Sequence, residues 1–252
     1  VLLCADGKSV RVRFVGNREG KVRLTCEADA RRVVDDVTGG TFSVASVKRA
    51  TRRKNPPPPF TTSTMQQEAS RKLNVQSSRV MRVAQELYEG VNIGAELGGT
   101  QGLITYMRTD SLRVSAEAQT AAAELIRGRY GERYCPETPR VYKARAGAQD
   151  AHEAIRPARV EIEPAMVRKS LTPDQYRLYK LIWERFVASQ MESAELETLT
   201  VDLECSGWVF RASGYTVTFP GYMAVYEEAA DDGQRNRRAD DPEEQRDLRI
   251  PP

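Results

Sequence analysis

The stretch "TRRKNPPPPF", Thr51 to Phe60, separates two kinds of pattern in the chain. Its four consecutive prolines cannot continue a helix or a central strand, because proline has no backbone N–H to donate and its φ is fixed. Upstream of it apolar residues alternate, as in half-buried strands. Downstream they recur at three- and four-residue spacing, as in helices. A domain boundary is placed here.

On the upstream side, "SVRVRFVG" sets Val10, Val12 and Phe14 on one face, and "KVRLTC" does the same with Val22, Leu24 and Cys26. The turn "GNREG" joins them, which predicts a hairpin. "DARRVVDDVTGG" predicts a short helix stopped by Gly39 and Gly40, and "FSVASVKRA" resumes the alternation.

On the downstream side, "TTSTMQQEASRKL" begins with hydroxyl residues suited to capping a helix. "SSRVMRVAQELYEG" follows, with Val80, Val83, Ala84, Leu87 and Tyr88 on one face and Gly90 at its end. The two helices with a short polar break have the outline of a helix-turn-helix, a pattern shared by many helical hairpins. "SAEAQTAAAELIRGRYG" predicts a helix capped by Ser115 and ended by Gly131. In "LTPDQYRLYKLIWERFVASQM", Thr172 and Gln175 form a capping box around Pro173, and Tyr176, Tyr179, Trp183, Phe186 and Val187 form the buried face.

Alternation returns in "LTVDLEC" and "WVFRASGYTVTF", joined by Ser206-Gly207. The pattern is that of an α+β chain: a β-rich domain built from residues 1–60 and 191–252, interrupted by a mainly helical domain over residues 61–190. The tail "EEAADDGQRNRRADDPEEQRD" carries almost no apolar residues and is expected to be a mobile loop or linker.

Composition narrows the function classes. Charged residues make up 29% of the 252 and hydrophobic ones 40%, a globular balance and not a disordered one. No apolar stretch approaches a membrane span, and "VLLCADGKSV" is not a signal peptide. The first residue is not Met, so the chain is expected to be a piece of a longer one. Cys4, Cys26, Cys135 and Cys205 form no Cys-x-x-Cys pair, which argues against a zinc ribbon or a disulfide framework and for reduced thiols in the cytoplasm. The single histidine, His152, excludes a histidine-rich metal centre. Charge is uneven: residues 1–60 carry 13 Lys and Arg against 6 Asp and Glu, whereas residues 191–252 carry 6 against 14. A basic front suits a polyanion met by part of the surface, and uneven solvated charge gives the same count.

The chemistry centres on "GLITYMRTDS", Gly102 to Ser111. "GLITYM" reads as a buried strand with a tyrosine in its middle, and a strand places Arg108 on the same face as Tyr106. Tyrosine is an ordinary strand residue with its hydroxyl at the edge. Here, though, a guanidinium suited to phosphate lies two residues away, with Thr109, Asp110 and Ser111 adding short polar groups. A phenol titrates near 10 and is a poor nucleophile at neutral pH; a nearby guanidinium favours the phenolate and charge building on an attacked phosphate.

A second candidate is "QDAHEAIRP", Gln149 to Pro157. It is not the His-Glu-x-x-His of a zinc protease, because Arg156 occupies the second histidine position. On a helix His152 and Arg156 share a face and could hold a phosphate; the plainer reading is a helix with Glu153 and Arg156 paired at i, i+3. "KRATRRK", residues 48–54, reads as a phosphate-contacting strip or a solvated strand end.

Four motifs, "PFTTSTMQQEASRKL", "LYEG", "GLITYMRTDS" and "QDAHEAIRP", resemble in this order and spacing the central part of bacterial DNA topoisomerase I, a type IA topoisomerase. The resemblance is strong from about Pro59 to Met191 and weaker in the flanking β segments. It implies that Tyr106 attacks a phosphate of single-stranded DNA, giving a 5′-phosphotyrosine link and a free 3′-hydroxyl, with Arg108 contacting the scissile phosphate and His152 near the site. Thr109, Asp110, Ser111 and Arg156 are then expected to line the DNA. The resemblance further implies a tyrosine-bearing helical domain on a β-rich arch, relaxation of negatively supercoiled DNA without ATP, and residence at the bacterial nucleoid. Magnesium is expected to be bound by an acidic domain near the family's N-terminus. Its Asp-x-Asp pattern is absent from this sequence, so the isolated chain is expected to carry the nucleophile and not to cleave alone. Two other readings are a DNA-binding module without chemistry, and a tyrosine recombinase. The recombinase places its tyrosine downstream of a His-x-x-Arg box, whereas Tyr106 precedes His152 here.

Overall fold

The computed structural model describes residues 1–4, 7–142 and 152–227. In chain order the elements are β1 (Leu2–Leu3), β2 (Ser9–Val10), β3 (Arg13–Asn17), β4 (Gly20–Lys21), α1 (Glu27–Val37) and β5 (Ser43–Lys54). Then come α2 (Thr62–Leu73), α3 (Ser77–Glu89), β6 (Val91–Asn92), β7 (Thr100–Gln101), α4 (Ala116–Tyr130), α5 (Pro164–Val167) and α6 (Pro173–Gln190). β8 (Ala194–Cys205) and β9 (Trp208–Phe219) close the order. The chain is α+β, and its described residues fall into two compact units: Val1–Arg53 with Glu195–Thr218, and Lys54–Ala194 with residues 219–227.

The first unit is a five-stranded sheet in the order β4-β3-β9-β8-β5, so strands from both ends of the chain are neighbours. β8 and β9 are joined by Ser206 (φ 51°) and Gly207 (φ +81°), the pair of positive φ values that lets a two-residue turn follow the twist of a hairpin. The upstream hairpin exists but is short: β3 pairs with β4 only through Gly16↔Lys21 and Asn17↔Gly20. Beyond Lys21 the chain leaves the ladder, because Thr25 is drawn to the Asp29 carboxylate at the start of α1. Val10 pairs with Leu2 in a separate two-stranded ladder. Phe14 packs against Trp208 and Phe210, Phe42 against Phe210, and the Trp208 indole N–H donates to Asp36 of α1 at 2.9 Å. The 48–54 strip lies on β5, with most of its side chains in solvent.

The second unit holds the larger core. α6 starts at the capping box read from the sequence, with Thr172 accepting from Gln175 N and Pro173 in the first turn. Its core face is wider than expected: Leu178, Leu181 and Ile182 join Tyr179, Trp183, Phe186 and Val187, while Tyr176 is only half-buried. The Tyr179 hydroxyl donates to Ile162 O at 2.6 Å and the Trp183 indole to Val160 O at 2.8 Å, so the two polar groups carried into the core are satisfied. α2, α3, α4 and α5 pack around α6. α4 has the expected cap, with Ser115 accepting from Ala118 N, and ends at Gly131.

Arg185 of α6 is 4% exposed. Its Nε donates to Pro58 O at 2.7 Å and its guanidinium lies over the rings of Phe60 and Tyr226. The Tyr226 hydroxyl accepts from Arg185 and donates to the buried Glu68 carboxylate at 2.7 Å. Burial pushes the Tyr226 phenol well above the usual tyrosine range, so its proton stays on this bridge. One arginine thus ties the chain where it enters this unit to the segment that returns from β9.

Two local expectations are corrected. "GLITYM" is not a strand: among the described residues its only bridge is Ile104↔Pro157, and Arg156 N donates to the Thr105 side chain instead of the Thr105 carbonyl that a continuing ladder would use. His152–Pro157 is not helical either. Arg156 precedes a proline, which disfavours the α conformation, and Ile155 N donates outward to Phe60 O at 2.8 Å instead of back along its own chain. Gln149, Asp150 and Ala151 of that motif, and residues 228–252 of the tail, lie outside the described residues. No helix among the described residues is long and apolar enough to cross a membrane.

Candidate active site

Residues 102–109 are held from three sides. At the start of α2, Thr62 N donates to Thr109 O at 2.9 Å, Thr109 N donates to Thr62 Oγ1 at 2.9 Å, and Thr62 Oγ1 donates to Met107 O at 2.8 Å. At the end of α3, Leu103 N donates to Leu87 O at 2.7 Å. From the histidine motif, Thr105 N donates to Arg156 O at 2.9 Å, while Thr105 Oγ1 donates to Ala154 O at 2.8 Å and accepts from Arg156 N at 3.0 Å. The motifs that looked separate in sequence are one hydrogen-bonded unit in space.

This clamping produces the alternation that a strand would have given. Leu103, Ile104, Met107, Thr109 and Ser111 are buried, whereas Tyr106, Arg108 and Asp110 are exposed. Tyr106 and Arg108 therefore both face solvent, without a sheet to put them there.

The Tyr106 ring is 37% exposed and has two aromatic neighbours. His152 lies with its ring centroid 5.4 Å away at a 45° tilt, and Tyr88 meets it edge-on at 5.5 Å and 67°. Among the described residues no hydrogen bond engages the Tyr106 hydroxyl, and no hydrogen bond or ion pair engages the Arg108 guanidinium. An exposed phenol and a free planar cation two residues apart can meet a phosphate from outside without breaking any internal bond.

The other predicted residues divide. Thr109 Oγ1 accepts from Ser111 N at 3.1 Å and Ser111 Oγ accepts from Arg113 N at 3.1 Å, so both hydroxyls shape the backbone turn. Asp110 is exposed. His152 is brought to Tyr106. Arg156 is not: its side chain is 12% exposed, pairs with Glu153 at 2.6 Å and donates to Pro157 O at 2.9 Å, and its Nε is buried without a partner. The i, i+3 pair foreseen with Glu153 forms, in an irregular bridging segment and not on a helix. Glu153 also accepts from Ser115 N at 2.6 Å, which joins the motif to the cap of α4.

Sequence reading missed Tyr88 as part of the site. Helical periodicity put it with Leu87 on the buried face, yet it is 41% exposed. The available signal was its place in the last turn before Gly90, where a helix face no longer has a neighbour to cover it.

Among the described residues no group of three His, Cys, Asp or Glu could hold a metal ion.

The chain is thus an α+β protein that presents a tyrosine and an arginine side by side on an exposed, clamped segment. Residues 5–249 match the family model described as DNA topoisomerase, and the chain belongs to the type IA DNA topoisomerase family. It is similar to full-length topoisomerase I from Thermotoga maritima, with a TM-score of 0.68 and 34% identity over 88% of this chain. The match covers 36% of that chain, so this one spans about a third of the length of its solved relative.

Proposed function

We propose that this chain supplies the nucleophile with which a type IA topoisomerase relaxes negatively supercoiled DNA. The Tyr106 oxygen attacks a backbone phosphorus of single-stranded DNA, and the bond from phosphorus to the 3′ oxygen breaks. The phenol proton is lost and the departing 3′ oxygen gains one, leaving a 5′-phosphotyrosine and a free 3′-hydroxyl. One phosphodiester replaces another, so resealing needs no ATP. A second strand passes before the reverse step restores the DNA.

Arg108 pairs with the scissile phosphate and offsets the charge that builds on it. His152, beside the tyrosine ring, is placed to hydrogen-bond the phosphate or relay a proton. Asp110 borders the same surface, and Thr109 and Ser111 shape its backbone. Arg156 orients the segment through Thr105 and Glu153. The β-rich unit, Val1–Arg53 with Glu195–Thr218, serves as the arch, and Lys54–Ala194 with residues 219–227 as the tyrosine domain. Magnesium, which the family uses, is assigned to an acidic domain elsewhere in the same polypeptide, so the chain by itself does not cleave. The setting is the bacterial nucleoid.

The observation that carries this reading is the exposed Tyr106 on a rigid segment, with the unengaged Arg108 two residues on. A DNA-binding module without chemistry could use the same pair to stack a base and hold a phosphate, and it then forms no covalent bond to DNA. The test is capture of a covalent DNA adduct and its loss in Tyr106→Phe.

A further inference from the structure

Tyr88 and Tyr106 touch although neither ring is in the core. Val80, Val83, Ala84 and Leu87 of α3 are buried, while Tyr88 stands 41% exposed against a ring that is itself 37% exposed. The backbone fixes this contact. Leu87 O accepts from Leu103 N, and Tyr88 O lies 2.5 Å from where a Cβ on Gly102 would stand. The last turn of α3 and the segment bearing Tyr106 are therefore seated directly on one another. The Tyr88 hydroxyl has no hydrogen-bond partner among the described residues, so the ring is the part of the side chain in use.

We propose that Tyr88 is a positioning residue for strand cleavage. Its ring, edge-on at 67°, and that of His152 confine the Tyr106 side chain to one orientation, so the phenol is aimed before DNA arrives. An exposed tyrosine without such neighbours samples several rotamers, and ordering it would add to the barrier of the attack. The proposal rests on Tyr106 being the nucleophile.

The experiment uses the full-length polypeptide with magnesium and a single-stranded oligonucleotide. It compares Tyr88→Ala, Tyr88→Gln, Tyr88→Phe and Tyr106→Phe. Two quantities are read: the single-turnover rate of adduct formation at saturating DNA, and the Kd for DNA without metal. Tyr88→Ala and Tyr88→Gln are expected to slow the saturated rate about ten-fold or more, with Kd within about two-fold of wild type. Tyr88→Phe, which keeps the ring, is expected to restore the rate. Tyr88→Gln keeps a good helix former at an exposed position and decides the matter should the alanine variant not fold.

A wild-type rate in Tyr88→Gln overturns the positioning role. So does a slow Tyr88→Phe, or a loss confined to Kd, which would make Tyr88 a stacking surface for a base. An adduct formed by Tyr106→Phe at the wild-type rate overturns the nucleophile instead. Its absence there, with Tyr88→Gln unaffected, removes only the present proposal.

Discussion

Thr62 and Thr109 are joined by three hydrogen bonds, Thr62 N donating to Thr109 O and Thr109 N to Thr62 Oγ1, each at 2.9 Å, and Thr62 Oγ1 donating to Thr109 O at 3.1 Å. The residue that opens α2 thus holds the backbone just beyond Tyr106 and Arg108, and its hydroxyl reaches Met107 O as well. Thr62→Ala leaves a part-buried N–H and a carbonyl unsatisfied, and is expected to cost about 1–3 kcal/mol in urea unfolding. Thr62→Ser, which keeps the hydroxyl, is expected to recover most of that. Equal midpoints for the alanine variant and wild type would show that the clamp does not matter.

Gly102 is expected to be intolerant of a side chain. A Cβ there would stand 2.5 Å from Tyr88 O, a backbone atom that cannot move aside as the end of a flexible side chain can. Gly102→Ala should lose about 1–3 kcal/mol and slow adduct formation, because relieving the clash separates α3 from the tyrosine segment. Gly128 has nothing within 4 Å of its notional Cβ and lies in α4, so Gly128→Ala should be neutral or stabilising in the same unfolding series.

These two contacts also show what was legible in the sequence. The caps of α4 and α6, the Ser206-Gly207 turn and the β–helical–β order each depend on residues close in the chain, and local chemistry was enough to read them. "GLITYM" misled because its hydrogen-bond partners, Thr62, Leu87 and Arg156, are distant residues of two helix ends and an irregular segment. An apolar run does not say whether a neighbouring strand exists to pair with it. The shared face of Tyr106 and Arg108 was still legible, since clamping gave the same alternation as a strand, whereas the exposure of that face was not. Tyr88 was missed because periodicity says which face is apolar and not where its cover ends. The Glu153–Arg156 pair, the plainer of the two readings for Arg156, forms, because the two residues are three apart and complementary in charge.

Arg185 is expected to be the most costly surface-type residue to remove from the second unit. Arg185→Met takes the cation from Pro58 O, Phe60 and Tyr226 and leaves the buried Glu68 carboxylate under-compensated, at a cost of about 3–5 kcal/mol. Tyr226→Phe breaks only the hydroxyl bridge and should cost about 1–3 kcal/mol. Thermal or urea unfolding would reveal the order. A Tyr226→Phe loss larger than that of Arg185→Met would contradict it.

Stability should fall at acid pH in part through Asp174. Hydrogen bonds from Arg177 and Arg79 hold its carboxyl below the usual range, and the Arg79 contact ties α3 to the first turn of α6. With the folded value depressed, this stabilisation is complete above the ordinary carboxylate value of about 3.9 and is lost as pH falls through the folded value. Asp174→Asn is therefore expected to be less stable than wild type at pH 7 and to show a shallower decline below pH of about 4. Parallel urea midpoints across that range would settle it; identical slopes would exclude Asp174 as a contributor.

The central claim is that Tyr106 is the nucleophile. The most direct measurement mixes the chain with the acidic domain of the same polypeptide, magnesium and 5′- or 3′-labelled single-stranded DNA, and traps the products in denaturant. The account predicts a covalent adduct that retains the strand downstream of the break and maps to Tyr106. It also predicts a free 3′-hydroxyl on the released upstream fragment and no adduct with Tyr106→Phe. An adduct of the same yield in Tyr106→Phe, or one that maps to another residue, would contradict it.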